Sequence, residues 1–180
     1  LHTSSTAMYG HVETYQELAE HLCTIRGIQL EGMSCRQEQN DGETRGRFTE
    51  FVPLSFVSAE APMYREQQAG RRRTTRAGRP IRRGATQREV LLTHAVSRLV
   101  RSGVIDNSQA SWVKEGMDRL SDLISHCGVN DVGGTLMNES ISTSAGSAHG
   151  QMMRPSTLRR CVHVCCYDHD DYDMIMMIRL

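Results

Sequence analysis

The chain has 180 residues and 20.2 kDa, with 21 acidic and 21 basic residues and an isoelectric point of about 7.2. Zero net charge gives no global electrostatic pull toward nucleic acid or an anionic membrane, and no apolar run approaches the roughly 20 residues that cross a bilayer. The length allows one core and one domain, but 38% hydrophobic and 5% aromatic content is low for a self-sufficient barrel.

The first strand is expected over residues 3–9 and closes at Gly10 and His11. Thr14 and Glu17 then have capping-box spacing. The helix behind them sets Tyr15, Leu18, Ala19, Leu22, Ile25 and Ile28 at helical intervals. Residues 32–47 are polar and read as an insertion. The second strand, FTEFVPLSF over 48–56, is apolar on both faces, as in a buried parallel strand. Residues 67–84, QQAGRRRTTRAGRPIRRG, form a second, arginine-rich insertion. Both insertions sit where length is tolerated, so mobility is expected. The arginines lack interleaved aromatics for base stacking, so this segment reads as a solvated loop, not an RNA surface.

A second capping box, Thr86 with Glu89, opens the next helix, whose apolar stripe is Val90, Leu91, Ala95, Val96, Leu99 and Val100 and whose stop is Gly103. The third strand is expected over 107–113, and its helix near 118–127 buries Leu120, Leu123, Ile124 and Cys127 and ends at Gly128. The fourth strand covers 132–137, with a helix starting at Asn138 or Glu139. Strands alternating with helices imply an α/β fold of four parallel βα units, half of an eightfold barrel. An open doubly wound sheet is the alternative, without a Gly-rich dinucleotide turn after the first strand.

The expected domain is 1–160, and 161–180 reads as a divergent, disordered tail. Of six cysteines, three crowd together as Cys161, Cys165 and Cys166. With no secretion signal they form no disulfide framework, so a reducing intracellular setting, cytoplasm or organelle, is expected. Zinc binding by these thiols with His163 or His169 is disfavoured because they are too crowded for paired knuckles. The acidic run 168–173 reads as a solvated turn, so no metal site is expected in the chain.

In an α/β barrel, chemistry gathers at the C-terminal ends of the strands. Tyr9 and His11 end the first strand; they either bind a substrate and move a proton, or pack in the barrel and cap the next turn. Glu50 lies inside an apolar strand, where a carboxylate is costly unless paired. It therefore meets a ligand in the lumen or a group on a neighbouring strand. Gln109 and Ser111 share a face by period two, with Trp112 opposite. Asn130, Thr135, Asn138 and Glu139 flank the Gly133-Gly134 turn, where backbone N–H groups approach a ligand closely. A helix start behind that turn favours an anion such as a carboxylate, while Glu139 pairs with a ligand amine or complements the helix dipole.

Four strand-end segments, TSSTAMYGHVET, FTEFVPLSF, DNSQASWVK and NDVGGTLMNESIS, occur in order on the four units. Together they resemble the FO synthase family of radical S-adenosylmethionine enzymes, most closely its tyrosine-using half, a 4-hydroxyphenyl transferase. The resemblance runs from about His2 to Arg160 outside the two insertions. It implies the C-terminal half of a radical-SAM TIM-like barrel. It further implies a 4Fe–4S cluster held by the thiolates of a CxxxCxxC loop, with S-adenosylmethionine on the remaining iron. Cys161 and Cys165 have the first spacing of that loop, but Asp168 stands where the last cysteine belongs. The cluster loop is therefore expected upstream of Leu1, in an N-terminal half of the barrel that is this chain's partner.

The substrates implied are tyrosine and 5-amino-6-(D-ribitylamino)uracil, joined through the 4-hydroxybenzyl group of tyrosine on the way to a deazaflavin chromophore. On this reading Tyr9, His11 and Glu50 are the catalytic contacts. Gln109, Ser111, Asn130, Gly133, Gly134, Thr135, Asn138 and Glu139 bind substrate, and the chain alone is inactive. Two other readings stay open. One is a part of a related radical enzyme of menaquinone-pathway type, and the other is a non-catalytic truncated product that associates through exposed barrel edges.

Overall fold

A computed structural model of the chain describes residues 2–38, 46–136 and 138–167. β1, His2–Tyr9, and β2, Arg47–Ser55, pair in parallel along their length, with Ser4 against Glu50 and Tyr9 against Ser55. β3, Asn107–Ala110, pairs with β2, and β4, Asp131–Val132, pairs with β3. The result is one open parallel sheet in the order β1-β2-β3-β4.

Parallel neighbours need a crossover. α1, Tyr15–Glu38, links β1 to β2. A short α2, Pro62–Gln68, and then α3, Gln87–Arg101, link β2 to β3. α4, Trp112–His126, links β3 to β4, and α5, Ile141–Ser144, and α6, Pro155–Tyr167, follow. The α/β architecture of successive βα units matches the half-barrel expectation.

Side chains alternate across a strand. On β1, Ser5, Ala7 and Tyr9 are buried while Ser4, Thr6 and Met8 are exposed. The buried face meets the helices in two apolar clusters. One holds Tyr9, Val90, Ala110, Trp112, Leu120 and Leu123; the other holds Ala7, Leu22, Ile25, Phe51 and Ile105. Each fully buried Val, Leu, Ile or Phe among them contributes about 1.5–3 kcal/mol.

Several elements depart from the expected boundaries. α1 continues to Glu38, into the expected first insertion; residues 39–45 of that insertion lie outside the described residues. Its buried line is Leu22, Ile25 and Gln29, while Tyr15 and Ile28 are exposed. Gln29 is satisfied because its amide donates to Phe48 O and Val104 O and accepts from Phe48 N.

α3 buries a largely polar face. Thr93, His94, Ser97 and Arg101 are buried, whereas Val96 is 43% and Leu99 is 75% exposed. Polar burial is tolerated when the groups are bonded. Ser97 Oγ donates to His94 O, and Arg101 Nη2 donates to Ser108 Oγ at 2.6 Å while its guanidinium lies 4.1 Å above the Phe51 ring.

β3 stops at Ala110, short of residue 113, because Ser111 already caps α4: the amides of Lys114 and Glu115 donate to Ser111 O. Gly116, at φ 73, redirects the chain after that first turn. β4 is two residues, not 132–137, and the helix expected at 138 or 139 begins only at Ile141.

Part of the second insertion is tied to the body of the chain by specific contacts. Ile81 is buried and bracketed by the Gln67 side chain, which accepts from Ile81 N at 2.7 Å and donates to Ile81 O at 2.9 Å. Arg79 pairs with Glu17 at 2.6 Å, and Arg82 N donates to His11 O at 2.8 Å. Residues 161–167, expected in the disordered tail, extend α6, where Leu158 and Val162 join the core. Residues 168–180 lie outside the described residues.

Candidate functional site

Glu50, Gln109 and Asp131 stand on three neighbouring strands. The register pairs Ser4 with Glu50 and Gln109 with Asp131, which puts all three on the sheet face that carries exposed Thr6 and Met8. Gln109 Nε2 donates to Glu50 Oε2 at 3.1 Å, and both side chains act on the Asp131 carboxyl. Burial, then the Glu50 carboxylate, push the Asp131 carboxyl up to about 6, against the lowering hydrogen bonds from Val132 N–H and Gln109. A carboxyl that titrates near neutrality beside a carboxylate can donate to one ligand group and accept from another.

Sequence reasoning found Glu50 and Gln109 but missed Asp131. Period two counted back from Gly133 and Thr135 reaches Asp131 and was the available signal. Its neighbour Asn130 braces the sheet instead: Oδ1 accepts from Ser108 N at 2.8 Å and Nδ2 donates to Asp106 O at 3.1 Å.

Tyr9 lies on the opposite, helix-facing side of the sheet, 1% exposed, and its hydroxyl has no hydrogen-bond partner among the described residues. Burial, reinforced by nearby Glu115, pushes its pKa up. His94 Nε2 and Glu115 Oε1 are also buried without partners, and the His94 ring meets Tyr9 edge-on at 6.5 Å. Burial lowers the His94 pKa, which keeps the imidazole neutral. This polar cluster includes two residues that sequence reasoning did not single out. No local pattern marks His94 or Glu115, because their setting comes from α3 and α4 packing on β1.

The remaining expected residues line the C-terminal ends of the strands. The His11 ring rests against Phe56 at 4.4 Å, and its backbone N–H donates to Glu13 Oε2 at 3.1 Å. Gly10, at φ 81, lets this turn press on the start of α3; a Cβ there would lie 2.5 Å from Ala85 N. Ser111 caps α4, and Gly133 packs beside Gln109 and Trp112. Gly134 O accepts from Trp112 Nε1 at 3.0 Å. Thr135 is half-buried and Asn138 exposed. The Glu139 carboxylate accepts from Ser142 N at 2.9 Å, so it serves the start of α5.

An iron–sulfur cluster needs converging thiolates. Cys23 is exposed on α1, Cys127 is buried at the end of α4, and Cys161 is on α6. Among the described residues no three His, Cys, Asp or Glu come together to hold a metal. The described residues therefore do not fit such a cluster. No helix among them is long and apolar enough to cross a membrane.

Residues 47–157 match the family described as the CofH/MqnC C-terminal region. A relative from Methanocaldococcus jannaschii, named 5-amino-6-(D-ribitylamino)uracil--L-tyrosine 4-hydroxyphenyl transferase, is 44% identical over 157 residues, which is 87% of this chain and 36% of the relative. The relative of the same name from Methanopyrus kandleri is 41% identical over 156 residues, 87% of this chain and 35% of its own length. A third, from Methanosarcina acetivorans, is named the same transferase 1 and is 42% identical over 161 residues, 89% of this chain and 36% of its own. The chain thus spans about a third of the length of these relatives. They bear the name of the transferase half that the four strand-end segments resemble. With β2, β3, β4 and the Glu50–Gln109–Asp131 cluster all inside the matched span, the chain belongs to the CofH/MqnC C-terminal region family.

Proposed function

We propose that this chain forms a substrate-holding wall of an enzyme that joins the 4-hydroxybenzyl group of tyrosine to 5-amino-6-(D-ribitylamino)uracil. The observation that carries this reading is 44% identity over 157 residues to a transferase named for those two compounds. The polar sheet face supports it. A ribityl-diaminouracil presents amines, ring amides and hydroxyls, which need both donors and acceptors. Glu50 offers a carboxylate, Gln109 a two-way amide, and Asp131 a carboxyl that titrates at about 6.

In this reading Glu50 contacts substrate, with Gln109 and Asp131 beside it. Ser111, Gly133, Gly134, Thr135 and Asn138 shape the rim at the strand ends. His11 lies at the rim beside Phe56, and Tyr9 supports the wall from behind the sheet. The family implies a 4Fe–4S cluster and S-adenosylmethionine, which supply the radical chemistry. The contribution of this chain is orientation and exclusion of water, which lower a barrier by holding the reactants in place.

A chimera tests the reading. The matching segment of the Methanocaldococcus jannaschii transferase is replaced by this chain, and the product of tyrosine with 5-amino-6-(D-ribitylamino)uracil is sought by mass spectrometry. The expected outcome is adduct formation, reduced roughly 100-fold by Glu50→Gln. A cooperatively folded chimera that forms no adduct from these compounds overturns the proposal.

A further inference from the structure

We propose that the C-terminal ends of β2 and β3 carry a cationic pocket for a small carboxylate of the kind an α-amino acid bears, with Lys114 in its lining as the recognising charge. The inference rests on the amino-acid-substrate reading above and adds a site to it.

The pocket is a cavity of about 270 Å³. Its wall includes Ser55 to Ala59, which carry on from the end of β2, and Arg83, Lys114, Arg119 and His149 line it as well. It is built from segments far apart in sequence that are pinned together. Ser58 Oγ donates to Arg83 O at 2.6 Å, Glu60 N donates to Ala145 O at 2.9 Å, and Ser147 Oγ donates to Val113 O. Two glycines allow the walls to approach. A Cβ on Gly84 would lie 2.8 Å from Phe56 O, and one on Gly146 would lie 2.7 Å from Ala59 Cβ.

The charges favour an anion. Nearby acids have partners of their own: Glu60 pairs with Arg65 at 2.7 Å, Glu139 accepts from Ser142 N, and one Glu115 oxygen pairs with Arg119 at 3.3 Å while its other oxygen is buried without a partner among the described residues. Lys114 is half-buried, and among the described residues its ammonium forms no hydrogen bond or ion pair. Burial draws its pKa down, against the nearby Glu139 and Glu115. A partly desolvated ammonium without a partner is costly, and a carboxylate ligand would relieve that cost with charge-assisted hydrogen bonds. The cavity is smaller than the roughly 300–1,000 Å³ typical of drug-sized ligands. It suits the head of an amino acid.

Calorimetric titration of the 180-residue chain tests this with L-tyrosine, with tyramine, which lacks the carboxylate, and with L-methionine, which carries the carboxylate end of S-adenosylmethionine. At least one amino acid is expected to bind. Lys114→Gln is expected to weaken that binding roughly tenfold, and Lys114→Arg to retain most of it. Binding of tyrosine with methionine silent assigns the pocket to the amino-acid substrate, with tyramine then expected roughly tenfold weaker. The reverse pattern assigns it to the sulfonium compound. No binding of either, equal binding of tyrosine and tyramine when tyrosine binds, or unchanged binding in Lys114→Gln overturns the proposal. If Lys114→Gln does not melt cooperatively, Arg83→Gln at the rim decides, and undiminished affinity there overturns the proposal. Adduct formation by the chimera alongside failed carboxylate binding sinks this inference alone.

Discussion

Asp131 shows how one side chain couples the candidate site to stability. Its folded carboxyl sits at about 6, above its ordinary 3.8, because burial and Glu50 disfavour the charged form. Its protonation therefore stabilises the fold fully below about 3.8, and that stabilisation is lost as pH rises through about 6. Asp131→Asn abolishes the loss. The variant is expected to gain melting temperature over the parent at pH 8 and to show little gain at pH 4, with each kcal/mol worth roughly 2–4 °C. Thermal melts at the two pH values check this, and a gain confined to pH 4 contradicts it. Glu50 was legible as a misfit inside an apolar strand. Asp131 was legible only by period two from Gly133, and its neighbour Asn130 instead spends its side chain on the backbone of Asp106 and Ser108.

At the scale of elements, local signals were read correctly where the chemistry is local. Thr14 with Glu17 and Thr86 with Glu89 both form capping boxes, and both were visible as Thr-x-x-Glu. Glu89 does more than cap. Burial alone would raise its pKa, but hydrogen bonds from Thr86 N, Arg82, the Tyr15 hydroxyl and Thr86 Oγ1 hold it down at about 2. A depressed carboxyl stabilises above its unfolded value of 4.5, and the effect is lost as pH falls toward 2. Glu89→Gln is expected to cost about 1.5–3 kcal/mol at pH 7. Its difference from the parent should shrink by pH 3, as read by urea midpoints. Thr86→Ala is expected to cost about 1 kcal/mol at both pH values. The apolar stripe of α3 was read in part: Val90, Leu91, Ala95 and Val100 pack on the clusters, while Val96 and Leu99 face outward because polar Thr93, His94, Ser97 and Arg101 take the inward positions.

At the scale of the molecule, α3 spans both apolar clusters: Val90 belongs to one, and Val100 packs against the other. Fully buried Arg101 closes its C-terminal end, over Phe51 and bonded to Ser108 Oγ. Burial pulls its pKa down to about 10, which leaves it charged at neutral pH. Arg101→Ala is expected to cost about 3 kcal/mol or more, because it empties a buried volume and strips Ser108 of its partner. Chemical denaturation should show a lower midpoint. A change below about 0.5 kcal/mol, the usual range for a surface substitution, would show that the two clusters do not depend on this contact. Among the described residues β1 pairs only with β2 and β4 only with β3, so the sheet is open at both edges, in keeping with a chain that covers about a third of its relatives.

The sequence by itself determined the order of strands and helices, the two capping boxes and the family, because alternation, helix caps and strand-end motifs are properties of a few consecutive residues. Only the tertiary structure decided which polar groups meet. Glu50 and Gln109 are 59 positions apart and bond because parallel pairing sets them on one face. Parallel pairing also turned Tyr9 away from that face toward His94 and Glu115. Crossover helices hide such long-range registers from any local pattern, because the distance between strands carries no period.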